Sequence, residues 1–378
     1  MLLKNAKVVN DDFDVVDAEL LITGETIDKI TSRGEAQDTE CYDLSGCTIV
    51  PGFIDQHIHG CAGFDTGDAT YEALAAMSQC LIKHGVTSFC PTTMTLPEEE
   101  IARILNNVRD CMEKGLPGAY PQGVNMEGPY ISMAKKGAQN GAYVRRPDAA
   151  EFKRLYDGCG GLIKLVDIAA EEEGADAFIK EVSPYCTVSL AHTSADYDAA
   201  MRGFSLGISQ VTHLFNAMSG LTHRAPGVVG AVFASGGVKA EIICDGFHIH
   251  PAVVKIAFDV LGEDRTIIIS DSMKAAGCPD GDFDLGGQTV YVRGGKALLK
   301  DGTIAASTSN IHEEFKNVLR FGVPFKQAIK SATINPARQI GADKVTGSIK
   351  EGKRADLVVL DEKMDIKMVL VKGKIAVQ

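Results

Sequence analysis

The sequence repeatedly alternates short apolar, β-rich runs with longer stretches that have helical periodicity. Eight such runs follow residue 48: TIVPGFIDQHIH, VTSFCPTT, GVNMEGP, IKLVDIAAE, TVSLAHT, ISQVTHLFNA, VKAEIICDG and RTIIISDS. Several of the stretches between them, such as ATYEALAAMSQCLIKHG, carry apolar residues at helical spacing and stop at glycine. Strands that alternate with helices form parallel βα units, and eight units predict an α/β fold, a (β/α)8 TIM-type barrel.

The two ends of the chain have a different pattern. Short alternating runs broken by Gly or Asp turns occur before the barrel and after it, as in AELLITGETIDKITS and MVLVKGKIAV. We expect both ends to pair in one small flanking β-sandwich, with residues 1–48 and 346–378 on either side of a barrel domain at 49–345. A glycine-rich stretch, GDFDLGGQTVYVRGGKALLKDGTIAAS, predicts a β-hairpin insertion or a loop after the eighth strand.

Polar residues are concentrated where the predicted strands end. They are His57, His59, Glu127, His192, His213, Asp245 and Asp271, and they include four of the nine histidines in the chain. The carboxyl ends of barrel strands meet at one face, where barrel enzymes have their active sites. We therefore expect these side chains to converge on a single site.

The residue types at these ends are those of a metal site. Glu127, His192 and His213 would supply, from three strands, the three protein ligands of a catalytic zinc site with a position left for water. His57 and His59 alternate, so both imidazoles would point to one face of a strand and could share a metal. Each residue alone also has a structural interpretation, as a core histidine or a strand-end carboxylate.

Composition limits the partners. A net charge of −12 and a pI near 5.3 argue against nucleic acid and against an anionic membrane surface. The sequence has neither the apolar core of a signal peptide nor an uncharged apolar run of about 18 residues, so we expect a cytoplasmic protein. Its ten cysteines contain no CxxC pair, which predicts reduced core thiols.

Longer motifs resemble a known family. The segments PGFIDQHIHG and GSIKEGKRADLVVLD look like the two ends of the amidohydrolase superfamily. Within it, MEGPYIS, KKGAQNGA, THLFNAMSGLTHRAPGVVGA, CDGFHIHP, SDSM and TINPARQIG resemble the N-acetylglucosamine-6-phosphate deacetylase family, over residues 40–372. The resemblance implies metal-dependent hydrolysis of a sugar acetamide, which gives glucosamine 6-phosphate and acetate in amino-sugar catabolism.

The same resemblance implies roles for particular residues. Glu127, His192 and His213 match the family's principal metal ligands, and Asp271 matches its catalytic acid/base. The residues that match its substrate contacts are Ala138, Gln139, Asn216, Ala217, Arg224, His248, Ile304, Ala305 and Ala306.

Two positions vary within the family. Gln139 stands where some members have histidine, so we expect it only to bind a sugar hydroxyl. His57 and His59 are absent from some members, and here they predict a second metal position with Glu127 as bridge. The expected cofactor is a divalent metal, most simply Zn²⁺, with one or two ions per chain.

The substrate phosphate needs a local cation in an acidic protein. Arg224, flanked by His223, suits phosphate geometry. In the family the basic residues can reach the neighbouring subunit's site, which predicts a homodimer.

Two other functions stay open. One is an amidohydrolase reaction on a cyclic amide or another C–N bond, although such relatives typically bridge two metals with a modified lysine rather than a glutamate. The other is a metal-free scaffold protein on the same fold.

Overall fold

The computed structural model describes residues 1–35 and 40–378. Its centre is a barrel of eight parallel strands, which confirms the predicted fold. In chain order, barrel strands one to eight are Phe53–Ile58, Val86–Thr93, Val124–Tyr130, Ile163–Ile168, Thr187–Leu190, Ile208–Val211, Lys239–Ile243 and Thr266–Ile269. Consecutive strands pair in parallel from the first to the eighth.

Backbone hydrogen bonds beyond the eighth strand close the barrel against the first. The Asp271 N–H donates to the His57 carbonyl at 3.0 Å, and the His59 N–H donates to the Ser272 carbonyl at 2.9 Å. These bonds bring Asp271 beside the two histidines of the first strand.

One helix follows each of the first seven strands. The seven helices are Tyr71–Lys83, Glu98–Lys114, Ala149–Gly158, Ala175–Val182, Tyr197–Leu206, Gly227–Ala234 and Pro251–Leu261. After the eighth strand come three more, Ile311–Arg320, Phe325–Ala332 and Ile334–Gln339. Local signals set many of the ends: the Thr70 hydroxyl caps the first helix, and Gly115 ends the second at a φ of 85°.

The ends of the chain form two further sheets. A four-stranded sheet contains Thr26–Thr31, Glu19–Thr23, Leu2–Lys4 and Cys41–Asp43, and a six-stranded sheet contains Lys374–Val377, Ile366–Val371, Leu357–Leu360, Thr48–Pro51, Lys7–Val9 and Val15–Asp17. The six-stranded sheet combines strands from both ends of the chain, as expected. Because Thr48–Pro51 pairs within it, the first predicted run spans two strands and the barrel starts at Phe53 rather than at residue 49.

Successive side chains of this six-stranded sheet point alternately into the flanking β-sandwich and toward the barrel. Ile49 and Val359 face the four-stranded sheet and share its small core, whereas their neighbours Val50 and Val358 belong to the barrel core. The central strands Thr48–Pro51 and Leu357–Leu360 are therefore buried on both faces, one within the sandwich and one against the barrel.

The predicted insertion after the eighth strand is a four-stranded antiparallel sheet rather than a single hairpin. Its strands are Gly281–Leu285, Gln288–Arg293, Lys296–Leu298 and Ile304–Ala306. Shorter elements are the strands Gly60–Cys61, Phe64–Asp65 and Tyr120–Pro121 and the 3₁₀ turns Thr66–Asp68, Met133–Lys135 and Gly141–Tyr143.

The cysteines and the helices complete the description of the fold. No disulfide forms in the described ranges, and the buried thiols are Cys61, Cys90, Cys111, Cys159 and Cys244. Among residues 1–35 and 40–378, every helix is too short or too polar to cross a bilayer.

Candidate active site

The polar strand ends converge at the carboxyl end of the barrel. Three of the predicted residues, His192, His213 and Asp271, have φ values of 43°, 34° and 46°, in the left-handed region. This conformation costs a residue other than glycine about 1–2 kcal/mol, and such strain is concentrated at functional sites. Each strand therefore ends in a sharp turn that directs its last polar side chain over the barrel mouth.

Glu127 lies at the centre of the site. Its Oε1 atom is 3.0 Å from His192 Nε2 and 3.3 Å from His213 Nε2, and its Oε2 atom is 3.1 Å from His59 Nε2. The side chain is 2% exposed. One carboxylate thus contacts histidines from both predicted metal positions.

The first of these positions consists of Glu127, His192 and His213, whose ligand atoms lie within 4.8 Å of one another. His192 Nδ1 donates to the Lys135 carbonyl at 2.8 Å, and His213 Nδ1 donates to the Asn216 carbonyl at 3.2 Å. In the neutral imidazoles both Nε2 atoms are then acceptors. They face each other at 3.2 Å and also face a carboxylate oxygen.

A cation satisfies this arrangement of acceptors. Three lone pairs converge on one point, and each imidazole is held from behind by its other nitrogen, as in protein metal sites. The donor set therefore fits a divalent metal of the zinc type.

The second position consists of His57, His59 and Asp271, which also lie within 4.8 Å of one another. Asp271 Oδ1 is 3.3 Å from His59 Nε2 and 3.5 Å from His57 Nε2. The His57 Nε2 atom is buried and has no hydrogen-bond partner among the described residues. A buried acceptor without a partner is costly, and a metal ion would satisfy it.

The electrostatics of the cluster also favour a cation. Burial raises the pKa of Glu127, but its contacts with His192 and His213 and the charge of His57 outweigh it and hold that pKa well below its ordinary value. Burial opposes charging of His59, yet hydrogen bonds to Asp271 and Glu127 raise its pKa to about 10. The site therefore stabilises positive charge, as a metal site must.

Gln139 lies in the site but contacts Glu127. Its Oε1 accepts the Thr95 N–H at 2.7 Å, so the amide nitrogen faces the other way and donates to Glu127 Oε2 at 2.7 Å. The residue is 2% exposed. Sequence reasoning expected a sugar contact only, whereas this amide also fixes the orientation of the central carboxylate.

A cavity of about 520 Å³ opens above the two metal positions. The predicted residues that line it, besides the metal ligands and Asp271, are Ala138, Gln139, Asn216, Ala217, His248, Ile304 and Ala305. Lys135 and Lys136 also line it. The volume is that of an ordinary small-molecule site.

Two predicted substrate contacts lie outside this lining. Ala306 is buried in the insertion sheet, where it pairs with Ala297. Arg224 is exposed, in the loop before the helix Gly227–Ala234. The cavity of one chain therefore has Lys135 and Lys136, but not Arg224, on its wall.

His248 is held by the acidic residue of its own turn. Asp245 Oδ2 lies 2.7 Å from His248 Nδ1, and Asp245 Oδ1 accepts the N–H groups of Phe247 and His248 at 2.8 Å. The imidazole is fixed with Nδ1 turned away, which leaves Nε2 for a ligand in the cavity.

Sequence reasoning missed the layer below the site. Glu241, from the seventh strand, is fully buried, and its Oε2 lies 3.1 Å from His57 Nδ1. Gln56 and Gln210, which are also fully buried, donate to Glu241 Oε1 at 2.6 and 3.0 Å. The available signal was a charged residue inside the apolar run VKAEIICDG.

Comparison with known proteins agrees with this geometry. Residues 48–376 match the amidohydrolase family. The chain belongs to this family. Among curated amidohydrolase relatives, the N-acetylglucosamine-6-phosphate deacetylase of Bacillus subtilis (strain 168) is 35% identical over 383 residues, covering 100% of this chain and 97% of that protein. The N-acetylgalactosamine-6-phosphate deacetylase of Escherichia coli O157:H7 is 34% identical over 330 residues, 87% of each chain.

A solved amidohydrolase structure supports the same relationship. A mutant N-acetyl-D-glucosamine-6-phosphate deacetylase of Mycobacterium smegmatis, in complex with N-acetyl-D-glucosamine-6-phosphate, superposes with a TM-score of 0.94 at 30% identity. The alignment covers 100% of this chain and 99% of that one. The family resemblance predicted from the motifs is thereby confirmed.

Proposed function

We propose that this protein hydrolyses N-acetyl-D-glucosamine 6-phosphate to D-glucosamine 6-phosphate and acetate. One observation carries the proposal: two groups of buried metal-binding side chains, joined by Glu127, lie at the floor of a cavity of about 520 Å³ together with Asp271. The full-length similarity to deacetylases of phosphorylated amino sugars supports the substrate class.

We assign the metal to the residues that fit it. Glu127, His192 and His213 would hold one divalent ion, and His57, His59 and Asp271 would hold a second, with Zn²⁺ as the simplest candidate for a nitrogen and carboxylate donor set. When bound, such an ion lowers the pKa of a water molecule and polarises the acetamide carbonyl.

Asp271 is the proposed acid/base. Burial raises its pKa, but the charge of His57 and the hydrogen bond and charge of His59 lower it below the ordinary value, so the carboxylate is available as a base. It accepts a proton from the attacking water while the water oxygen bonds to the acetamide carbon. It then returns that proton to the sugar nitrogen as the C–N bond breaks, which releases acetate and the amine.

Residues of the cavity wall orient the sugar. His248 Nε2, fixed by the contact of Nδ1 with Asp245, is suited to bind a hydroxyl or the phosphate. Ala217, Ile304 and Ala305 form an apolar part of the cavity wall. Asn216 also lines the cavity, and its N–H donates to the His213 carbonyl at 2.9 Å while its own carbonyl accepts from His213 Nδ1, so it orients a proposed metal ligand as well.

Arg224 is proposed to bind phosphate across a homodimer interface. This residue is exposed and lies off the wall of its own cavity, and the neighbouring Leu221 is a large apolar residue that is 53% exposed. A mixture of Arg224→Ala chains with Asp271→Asn chains tests the arrangement. If Arg224 serves the partner's site, hybrid dimers regain one complete site and activity returns on mixing, whereas a purely internal role gives no recovery.

Acetate release from N-acetylglucosamine 6-phosphate, before and after removal of metal by a chelator, tests the function. We expect release that stops with the chelator and returns with Zn²⁺. N-acetylgalactosamine 6-phosphate is the necessary second substrate, because a relative of nearly equal identity is named for it. Release from neither sugar by the metal-loaded protein would refute the proposal.

A further inference from the structure

Below the metal-binding side chains, the barrel interior holds a polar layer with no direct contact with the cavity. Glu241 is its centre, with Gln56 and Gln210 on one side and His57 on the other. All four residues are 0% exposed. A buried carboxylate in such a place requires an explanation, because burial of an ion is costly unless each partner is well placed.

In the described part of the chain, every side chain that hydrogen-bonds to this carboxylate does so through a nitrogen. The Gln56 amide nitrogen donates to Glu241 Oε1 at 2.6 Å and to Gln210 Oε1 at 2.9 Å, and the Gln210 amide nitrogen donates to Glu241 Oε1 at 3.0 Å. The remaining oxygen, Oε2, faces His57 Nδ1 at 3.1 Å. A carboxylate only accepts, so His57 must carry its proton on Nδ1.

The opposite nitrogen of His57 faces the second metal position. This Nε2 atom is buried without a partner, 3.5 Å from Asp271 Oδ1 and 3.7 Å from Glu127 Oε1. With the proton on Nδ1, Nε2 presents a lone pair, which a metal ligand needs. With the proton on Nε2, the same nitrogen could not bind a metal ion.

We propose that Glu241, oriented by Gln56 and Gln210, is a positioning residue that fixes the His57 tautomer and thereby makes the second metal position available. The inference rests on the proposed metal-dependent function but concerns only the His57, His59 and Asp271 position. The first position is independent, because backbone carbonyls hold both of its histidines.

An isosteric substitution separates orientation from packing. In Glu241→Gln, an amide group would have to turn its NH₂ either toward the two donor amides of Gln56 and Gln210 or toward His57 Nδ1. If the NH₂ turned toward Gln56 and Gln210, three donor groups would face one another, so we expect it to turn toward His57 Nδ1. Nδ1 then becomes the acceptor and the proton moves to Nε2, which removes the ligand.

A compensating substitution tests the direction of this effect. In the double variant Gln210→Glu with Glu241→Gln, an acceptor replaces a donor beside the new amide. The NH₂ at position 241 can then donate to the carboxylate at position 210, and the Gln56 amide has to turn its partnerless Oε1 toward this NH₂. The amide oxygen at position 241 can again accept from His57 Nδ1. Total charge and composition equal those of the wild-type protein, so bulk electrostatics cannot account for a recovery.

The experiment measures Zn²⁺ bound per chain, by titration against a chelating dye, and the ¹⁵N spectrum of labelled histidine, with His57 identified from the His57→Gln variant. We expect His57 of the zinc-loaded wild-type protein to carry its proton on Nδ1. We expect Glu241→Gln to show the Nε2–H form and to bind the second ion about 10- to 100-fold more weakly, with the first retained. The double variant should recover both signals.

The matched control is Glu314→Gln. Glu314 is also a fully buried glutamate, on the helix Ile311–Arg320, and it accepts the Cys244 N–H and belongs to neither metal position. This variant should keep both ions even if its melting temperature falls.

Three results would overturn the proposal: a His57 Nδ1 without a proton in zinc-loaded wild-type protein, unchanged second-ion affinity in Glu241→Gln, or a folded double variant that still lacks the second ion. If Glu241→Gln does not fold, the wild-type spectrum and the double variant decide. Acetate release by wild-type protein tests the deacetylase function separately, because metal binding and the tautomer are measured without substrate.

Discussion

Replacement of Glu127 by glutamine is the most demanding test of the candidate site. The change keeps shape and volume but removes the one charge that contacts both metal positions. Oε1 lies 3.0 Å from His192 and 3.3 Å from His213, while Oε2 lies 3.1 Å from His59 and 2.7 Å from the amide of Gln139. The new amide therefore has to place its NH₂ group on one of these two sides.

The structure determines which side. Toward Oε2, the NH₂ group would meet the Gln139 amide, whose nitrogen is fixed as a donor by the Thr95 N–H. Toward Oε1, it would meet the Nε2 acceptors of His192 and His213 and could donate to them. We expect the second orientation, in which hydrogen bonds replace the metal and the protein without metal stays folded.

The expected loss of affinity follows from the lost charge. Two unit charges about 4 Å apart interact by about 4 kcal/mol near a partly buried protein site, and a divalent ion is affected at least as strongly. Because about 1.4 kcal/mol is tenfold in an equilibrium constant, Zn²⁺ should bind at least about 1,000-fold more weakly. Deacetylation should fall with the metal content.

The assay combines Zn²⁺ titration, acetate release and a thermal melt, with Glu314→Gln as the control for an isosteric change at a buried glutamate outside the two metal positions. Zinc affinity within threefold of wild type would refute the reasoning. So would a loss of metal that is accompanied by an equal loss of stability in the protein without metal, since Glu127 would then be a structural residue.

Three further substitutions test separate parts of the site. Asp271→Asn should keep sugar binding and the first metal ion but lose about 10²–10⁴ in kcat, the usual contribution of a positioned acid/base, and a rate within threefold of wild type would exclude that role. Arg224→Ala should cost about 1.5–3 kcal/mol in kcat/KM for the phosphorylated sugar and little for N-acetylglucosamine; equal losses would make Arg224 structural. The double variant His57→Gln and His59→Gln should fold and bind one Zn²⁺ fewer per chain, whereas unchanged metal content with a lower Tm would identify core histidines.

The parts of the molecule that could be predicted from sequence are those set by short apolar runs and by the polar residues that end them. Each barrel strand is a short apolar run, and its last polar residue lies at the barrel mouth wherever the strand happens to pair. His192 and His213 can therefore be identified as site residues from the order of residues alone. The boundary near Gly52 is different, because Thr48–Pro51 continues the same apolar run and only its pairing with Leu357–Leu360 assigns it to the flanking sheet.

The parts that sequence missed depend on contacts between distant residues. Glu241 and His57 are 184 positions apart, and their contact exists only because the barrel closes. The side-chain amide of Gln139 could adopt either of two orientations. The Thr95 N–H donates to its oxygen, which leaves the amide nitrogen to donate to Glu127. Arg224 lies in an exposed loop, away from the cavity of its own chain, so the structure of one chain does not test its predicted contact with phosphate.

The two metal positions differ in what holds their histidines. His192 and His213 donate to backbone carbonyls, which no side-chain substitution removes. His57 instead depends on one side chain, Glu241, and on the amides that orient it. Because Glu127 contacts both positions, its loss should affect both ions, whereas a change at Glu241 should affect only the second. The ratio of the two ions is thus the quantity that distinguishes a defect in the shared ligand from a defect in the layer beneath it.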